Sequence, residues 1–254
     1  MKRRDFIKFG AAVGVTAACA PLDAPDLSPT NAAVTPRPTP FSGVAPRGFH
    51  RFGIWQKDDA YIYVPPTYSD STPAPFLVLL HGASGRASNF EANLPSRVDD
   101  KGIVVLAFDS SLITWDRFAL GAFGPDVERM NIALNYAFRR VNVDPNRVGL
   151  AGFSDGASYT LALGLSNGDL FKALIAFSCG AGLQYAAAPR GNPPIFISHG
   201  TTDPVIPISV SRDGVVPELR DAGYTVTFRE FNGGHLIPPD VANEAFTWFA
   251  SLSP

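Results

Sequence analysis

The chain has 254 residues, of which 46% are hydrophobic and 17% charged, and its formal net charge is −2. That length supports one sizeable core rather than two, and the composition excludes a wholly disordered chain. No dense cluster of lysine and arginine occurs in the body of the sequence, so no nucleic-acid partner is expected.

The chain opens with the basic stretch Lys2-Arg3-Arg4-Asp5-Phe6-Ile7-Lys8, followed by an apolar run from Phe9 to Ala18. The run is shorter than the roughly 20 apolar residues a bilayer span needs, and it fits an export signal. The adjacent arginines with Phe6 and Lys8 resemble a twin-arginine signal. Thr16-Ala17-Ala18-Cys19 resembles the lipobox of bacterial lipoproteins, although Thr16 stands where Leu or Val is usual. A lipidated Cys19 would tether the protein to a membrane; plain cleavage after Ala18-Cys19-Ala20 is the alternative. Residues 1–19 are therefore read as the signal, with a periplasmic or extracellular destination. Cys179 is the only other cysteine, so no structural disulfide is expected. Residues 20–48 carry Pro21, Pro25, Pro29, Pro36, Pro38 and Pro40 and few large apolar side chains. They read as a disordered, semi-rigid linker ahead of a single domain over residues 49–254.

Within that domain, Arg51 to Gln56 and Ala60 to Val64 read as a strand pair near an edge. Phe76 to Leu80, Ile103 to Phe108, Val148 to Ala151, Ala173 to Phe177 and Ile195 to Ser198 are apolar runs of the kind buried on both faces of a parallel sheet. Tyr224 to Phe231 alternates and predicts a last, half-exposed strand. Helices are predicted over Asp126–Val141, Ala157–Leu165 and Ser211–Ala222, the last closed by Gly223. Strand–helix alternation of this length predicts an α/β fold with a doubly wound, mostly parallel sheet and no large lid.

Gly152-Phe153-Ser154-Asp155-Gly156 lies between a predicted buried strand and a predicted helix. A tight strand-to-helix turn there would lift the Ser154 hydroxyl out of the sheet at a helix N-terminus. A serine needs a base, and the chain holds four histidines: His50, His81, His199 and His235. His235, in the turn Asn232-Gly233-Gly234-His235 after the final strand, is the candidate. Asp203, just beyond the Ile195 strand, is the candidate carboxylate that orients it; Asp169, Asp213, Glu218, Asp221 and Glu230 are its rivals. Two backbone amides would complete an oxyanion hole, that of Asp155 and one from His81-Gly82-Ala83-Ser84-Gly85. Ala83 is the choice in that loop, with Gly82 and Ser84 as alternatives. His81, Gly82 and Phe153 border these elements and, with Trp115 and Phe118 from the aromatic-rich connection after Asp109, are the candidate substrate pocket. That connection can equally pack as core, and Cys179 reads as a buried filler.

With these residues in hand, the sequence resembles the α/β-hydrolase superfamily. The nearest likeness is to its carboxylesterase/phospholipase and polyhydroxybutyrate-depolymerase-like esterase groups. The likeness rests on His81-Gly82, the Ser154 pentapeptide, His199-Gly200-Thr201-Thr202-Asp203-Pro204-Val205 and Gly233-Gly234-His235. The resemblance implies cleavage of small-molecule or lipid-like carboxylic esters through an acyl-enzyme, with no cofactor and no metal. Related depolymerases often carry a cysteine in the oxyanion loop, where Ala83 stands here. Peptide or amide hydrolysis on the same triad, polyester depolymerisation and a silent hydrolase-fold lipoprotein are the other readings.

Overall fold

The computed structural model describes residues 32–41, 43–55 and 60–253. The segment read as an export signal, Cys19 and the first part of the Pro-rich segment lie outside the described residues. Eight strands form one sheet in the order β1-β2-β4-β3-β5-β6-β7-β8. They are β1 (Gly48–Arg51), β2 (Tyr61–Val64), β3 (Ala74–Leu80), β4 (Val104–Ala107), β5 (Val143–Phe153), β6 (Ala173–Phe177), β7 (Ile195–Gly200) and β8 (Val226–Phe231). The pairs β1/β2 and β2/β4 are antiparallel, and every other pair is parallel. The antiparallel edge pair begins earlier than its predicted position, because the first strand pairs Gly48 with Val64 and ends at Arg51.

Alternate side chains of the strands feed two cores. Phe76, Val78 and Leu80 of β3 face α3 (Pro125–Phe138), α4 (Asp155–Ser166) and α5 (Val216–Asp221), where they join Met130, Leu161 and Leu219. Leu77 and Leu79 face the opposite way, toward α1 (Pro95–Val98) and α6 (Pro239–Ser251), and join Leu94, Val98, Val241 and Phe246. Both faces are thus covered, and β3 to β7 are buried along most of their length, which is why they read as unbroken apolar runs. A short helix, α2 (Asp116–Ala119), lies in the connection after β4. The predicted helix over Ser211–Ala222 is a π-helical turn, Val210–Val215, running into α5, with Gly223 at φ +89° just past its end.

The chain passes from β3 to β4 on one side, then crosses to β5 on the other. This reversal opens a crevice at the carboxyl ends of the central strands, where ligands bind in open α/β sheets.

The described part of the Pro-rich segment departs from the free linker read in the sequence. Ala32, Val34 and Ala45 are buried against the domain. The Val34 amide donates to Asn167 Oδ1 at 2.9 Å, and Asn167 Nδ2 donates to the Ala32 carbonyl at 2.8 Å. Arg37 pairs with Asp169, and Arg47 pairs with Asp70 at 3.0 Å. Proline-rich chain cannot join a ladder, but its free amides can be satisfied one at a time by side chains. Here Asn167, Asn131 and Asp70 satisfy them.

Candidate active site

β5 ends at Phe153 and α4 starts at Asp155, so Ser154 alone makes the turn. Its backbone sits at φ 56°, ψ −121°, a left-handed conformation unusual for a residue with a side chain. The flanking glycines permit it. A Cβ at Gly152 would lie 2.2 Å from the Gly156 carbonyl oxygen, and one at Gly156 would lie 2.4 Å from the carbonyl oxygens of Leu80 and His81. The strand and helix therefore close on each other only because both positions lack side chains.

Ser154, His235 and Asp203 come together across the carboxyl edge of the sheet. His235 Nε2 lies 2.9 Å from Ser154 Oγ, and His235 Nδ1 lies 2.7 Å from Asp203 Oδ2. With Nδ1–H donating to the carboxylate, Nε2 is left to accept from the serine hydroxyl. The side chain of Asp203 is fully buried. Burial works to raise its pKa, but hydrogen bonds from His235 and from the amides of Ile206 and Val205 outweigh it and hold the carboxyl below its ordinary value. Both amides donate to Asp203 Oδ1 at 2.9 Å. One oxygen is thus fixed by the backbone and the other is aimed at the imidazole.

His199 is a residue whose part in this arrangement the sequence did not disclose. Its side chain is wholly buried, with Nε2 at 2.8 Å from the Ile206 carbonyl oxygen and 3.2 Å from Asp203 Oδ2. Nδ1 lies 2.7 Å from Ser211 Oγ, which in turn contacts Cys179. The ring therefore braces the 203–206 turn from beneath. Cys179 is a filler behind it, buried, with its thiol pushed up to about 11 by that burial. The sequence signal was a histidine at a strand end four residues before the carboxylate.

The loop after β3 lies directly against the serine: a Cβ at Gly82 would meet Ser154 Cβ at 3.1 Å. In that loop the Ser84 amide donates to the Ile113 carbonyl at 2.7 Å and the Gly85 amide to the Gly82 carbonyl at 2.9 Å. Ser84 is thereby removed as an oxyanion donor. The Ala83 amide donates to no described residue. Asp155 is the first residue of α4, so its amide has no carbonyl a turn earlier to bond. The Asp155 carboxylate accepts from Thr114 Oγ1 at 2.7 Å.

Four of the five expected pocket residues, His81, Gly82, Trp115 and Phe118, are not among the walls of the apolar cavity beside the triad. Trp115 is fully buried, donates through Nε1 to the His81 carbonyl at 2.8 Å and stacks on Tyr159. Phe118 packs edge-on against Tyr159 and Tyr185. His81 accepts the Ser110 amide at Nε2 (3.0 Å), which leaves Nδ1–H to donate to the Gly82 carbonyl at 2.7 Å. Burial depresses its pKa and keeps it neutral. His81, Gly82, Trp115 and Phe118 therefore build and brace the loop beside the serine, with Gly82 directly against it. The reason lies after β4. Asp116 and Asp126 are buried there, and their carboxylates collect the amides of Ser111, Asp116, Gly124 and Asp126 and the Tyr159 hydroxyl. This folds the aromatic connection into the core.

The cavity beside the triad is bordered by His235 and Phe153. It has a volume of about 330 Å³, and among its walls are Leu94, Phe153, Phe177, Leu236 and Phe246, with Arg97. Of the predicted pocket, Phe153 alone lines it, its ring 4.8 Å from that of His235.

Residues 129–250 match the family model described as phospholipase/carboxylesterase. The chain has the α/β-hydrolase fold. An acetylxylan esterase from Coprinopsis cinerea is 33% identical to this chain over 107 residues, which is 38% of this chain and 29% of that protein. The match thus spans under a third of that relative's length. Among solved structures, the S-formylglutathione hydrolase FrmB from Staphylococcus aureus superposes with a TM-score of 0.64 at 16% identity, covering 82% of this chain and all (100%) of that one. Esterase PE8 does so with a TM-score of 0.57 at 24% identity, covering 74% and 97%. At those identities the structural likeness carries the fold alone.

Proposed function

We propose that this protein is a serine carboxylesterase. The observation that carries the reading is the unbroken hydrogen-bonded line from Ser154 Oγ through His235 to Asp203, at 2.9 and 2.7 Å, on a strained strand-to-helix turn. Ser154 Oγ attacks the ester carbonyl as His235 Nε2 takes the hydroxyl proton, and Asp203 stabilises the resulting imidazolium. The tetrahedral oxyanion accepts hydrogen bonds from the Ala83 and Asp155 amides, with the N-terminus of α4 adding its partial positive charge. Collapse breaks the bond to the alkoxy oxygen, which leaves with the proton from His235. Water then repeats the sequence on the acyl-serine and restores the free enzyme. An acetylated xylan and an S-formyl thioester both present an acyl carbonyl to these groups, so the names of these relatives agree at the level of an acyl ester or thioester.

The test is turnover of p-nitrophenyl acetate and butyrate by the parent, Ser154→Ala and His235→Ala. Turnover should fall by at least about 10³-fold in each variant, with the melting temperature unchanged. Retained turnover in Ser154→Ala sinks the reading.

Export through residues 1–19, with lipidation at Cys19, is part of the same proposal. It is supported by the basic start, the apolar run and the Thr16–Cys19 sequence. Mass spectrometry of the membrane fraction checks it: a diacylated N-terminal Cys19 supports the anchor, and an unmodified Ala20 or Pro21 start rules it out.

A further inference from the structure

The cavity beside His235 is walled mainly by apolar side chains, and no aspartate or glutamate lines it. Its single full positive charge from a lysine or arginine is Arg97, on the one-turn helix α1. Several other arginines are matched by carboxylates: Arg37 by Asp169, Arg47 by Asp70, Arg51 by Glu91, Arg86 by Asp109, Arg212 by Asp213 and Arg229 by Glu244. Among the described residues, the Arg97 guanidinium makes neither an ion pair nor a hydrogen bond. It is nevertheless half-buried, and burial with no anion to offset it lowers its pKa. A guanidinium carries five donors that match a carboxylate in pairs, and a desolvated one without a partner is costly to keep. On an exposed surface, water would satisfy it. In an apolar cavity next to a reacting centre, a ligand can.

We propose that Arg97 is the specificity residue of this cavity, holding an anionic group, a carboxylate by preference, carried by an ester whose apolar span fills the space against Phe153, Phe177 and Phe246. The substrate class is then an anionic ester: a half-ester of a dicarboxylic acid, or an ester of a hydroxy acid. This rests on the serine-esterase reading above. A volume of about 330 Å³ suits a span of a few methylenes or one aromatic ring, and not a long acyl chain.

The test compares matched esters on the full-length protein. Mono-p-nitrophenyl adipate against p-nitrophenyl hexanoate puts the charge on the acyl side; 4-acetoxybenzoate against methyl 4-acetoxybenzoate puts it on the alcohol side. Within one pair, kcat/KM should favour the anion by about 10- to 100-fold, the worth of a charge-assisted hydrogen bond. That ratio should collapse in Arg97→Gln and return in part in Arg97→Lys; reading a ratio cancels any general loss of folded enzyme. If neither pair shows an Arg97-dependent ratio, the proposal is overturned. If the parent hydrolyses none of the esters, the esterase reading fails on its own account. Calorimetric titration of monomethyl adipate and 4-acetoxybenzoate into Ser154→Ala, with and without Arg97→Gln, then decides the subsite. Binding lost with Arg97 upholds it, and binding that is equal in both proteins, or absent from both, overturns it.

Discussion

At the scale of single residues, Asp203 divides its two oxygens between tasks. Oδ1 takes the amides of Val205 and Ile206, and Oδ2 takes His235 Nδ1 and lies near His199. Asp203→Asn would keep the shape of the turn but present an N–H either to two amide donors or to the imidazole. In the second case His235 would carry its proton on Nε2 and could not accept from Ser154. We expect a fall in kcat of about 10³- to 10⁴-fold, with a small change in KM, measured on p-nitrophenyl acetate at neutral pH. His81 gives a prediction about stability. Burial lowers its folded pKa, so the unfolded chain binds the proton first as the pH falls through about 6.5. The unfolded state then holds more protons, and stability drops with falling pH by up to about 1.4 kcal/mol per pH unit from this group. In His81→Gln the acid side of a melting-temperature profile should be shallower than in the parent. An identical slope would show that His81 does not carry the effect.

At the scale of elements, the connection between β4 and α3 behaves as a small polar core. Asp116 is pushed up in pKa by burial, and next by the charge of Asp126, yet its oxygens accept from Tyr159, Gly124 and Asp126. Tyr159→Phe removes the hydroxyl donor and strands Asp116 Oδ1 in the interior. A loss of about 1–3 kcal/mol in denaturant unfolding is expected. Activity should change little, because the phenylalanine ring keeps the stack on Trp115, which holds the loop of Ala83 through the His81 carbonyl. The same connection marks the boundary of what the sequence made legible. β3 to β7 were readable because strands buried on both faces are apolar runs, and Ser154, Asp203 and His235 because each sits at a strand end in a distinctive turn. Trp115 and Phe118 were not, since an aromatic that lines a cavity and one that fills a core look alike in one dimension. The pairing of Asp116 with Asp126 decides between them. The walls of the cavity beside His235 come from the segment leading into α1, from the ends of β5 and β6, from the turn after β8 and from α6, and Leu94 and Phe246 are far apart in the chain. No local pattern brings those two together.

At the scale of the whole molecule, the described part of the Pro-rich strap belongs to the fold. It docks on Asn167, the residue that closes α4, whose other end carries Ser154. Asn167 is buried, and its amide group also donates to the Leu163 carbonyl, so the strap and the last turn of the helix share one side chain. The prolines at 36, 38 and 40 restrict the unfolded chain, which lowers the entropic cost of laying the segment down. A protein beginning at Phe49 would expose the surface under Ala32 and Val34, leave Asn167 without two of its partners and remove Arg37 from Asp169 and Arg47 from Asp70. We expect it to lose about 2–3 kcal/mol against a protein beginning at residue 32, a fall in melting temperature of roughly 5–10 °C for a domain of this size. None of the lost contacts touches Ser154, His235 or Asp203, so kcat on p-nitrophenyl acetate well below the melting transition should be unchanged. Asn167→Ala in the longer protein should reproduce most of the thermal loss. If the two lengths melt together, the strap is a passenger on the surface and contributes nothing to holding α4 in place.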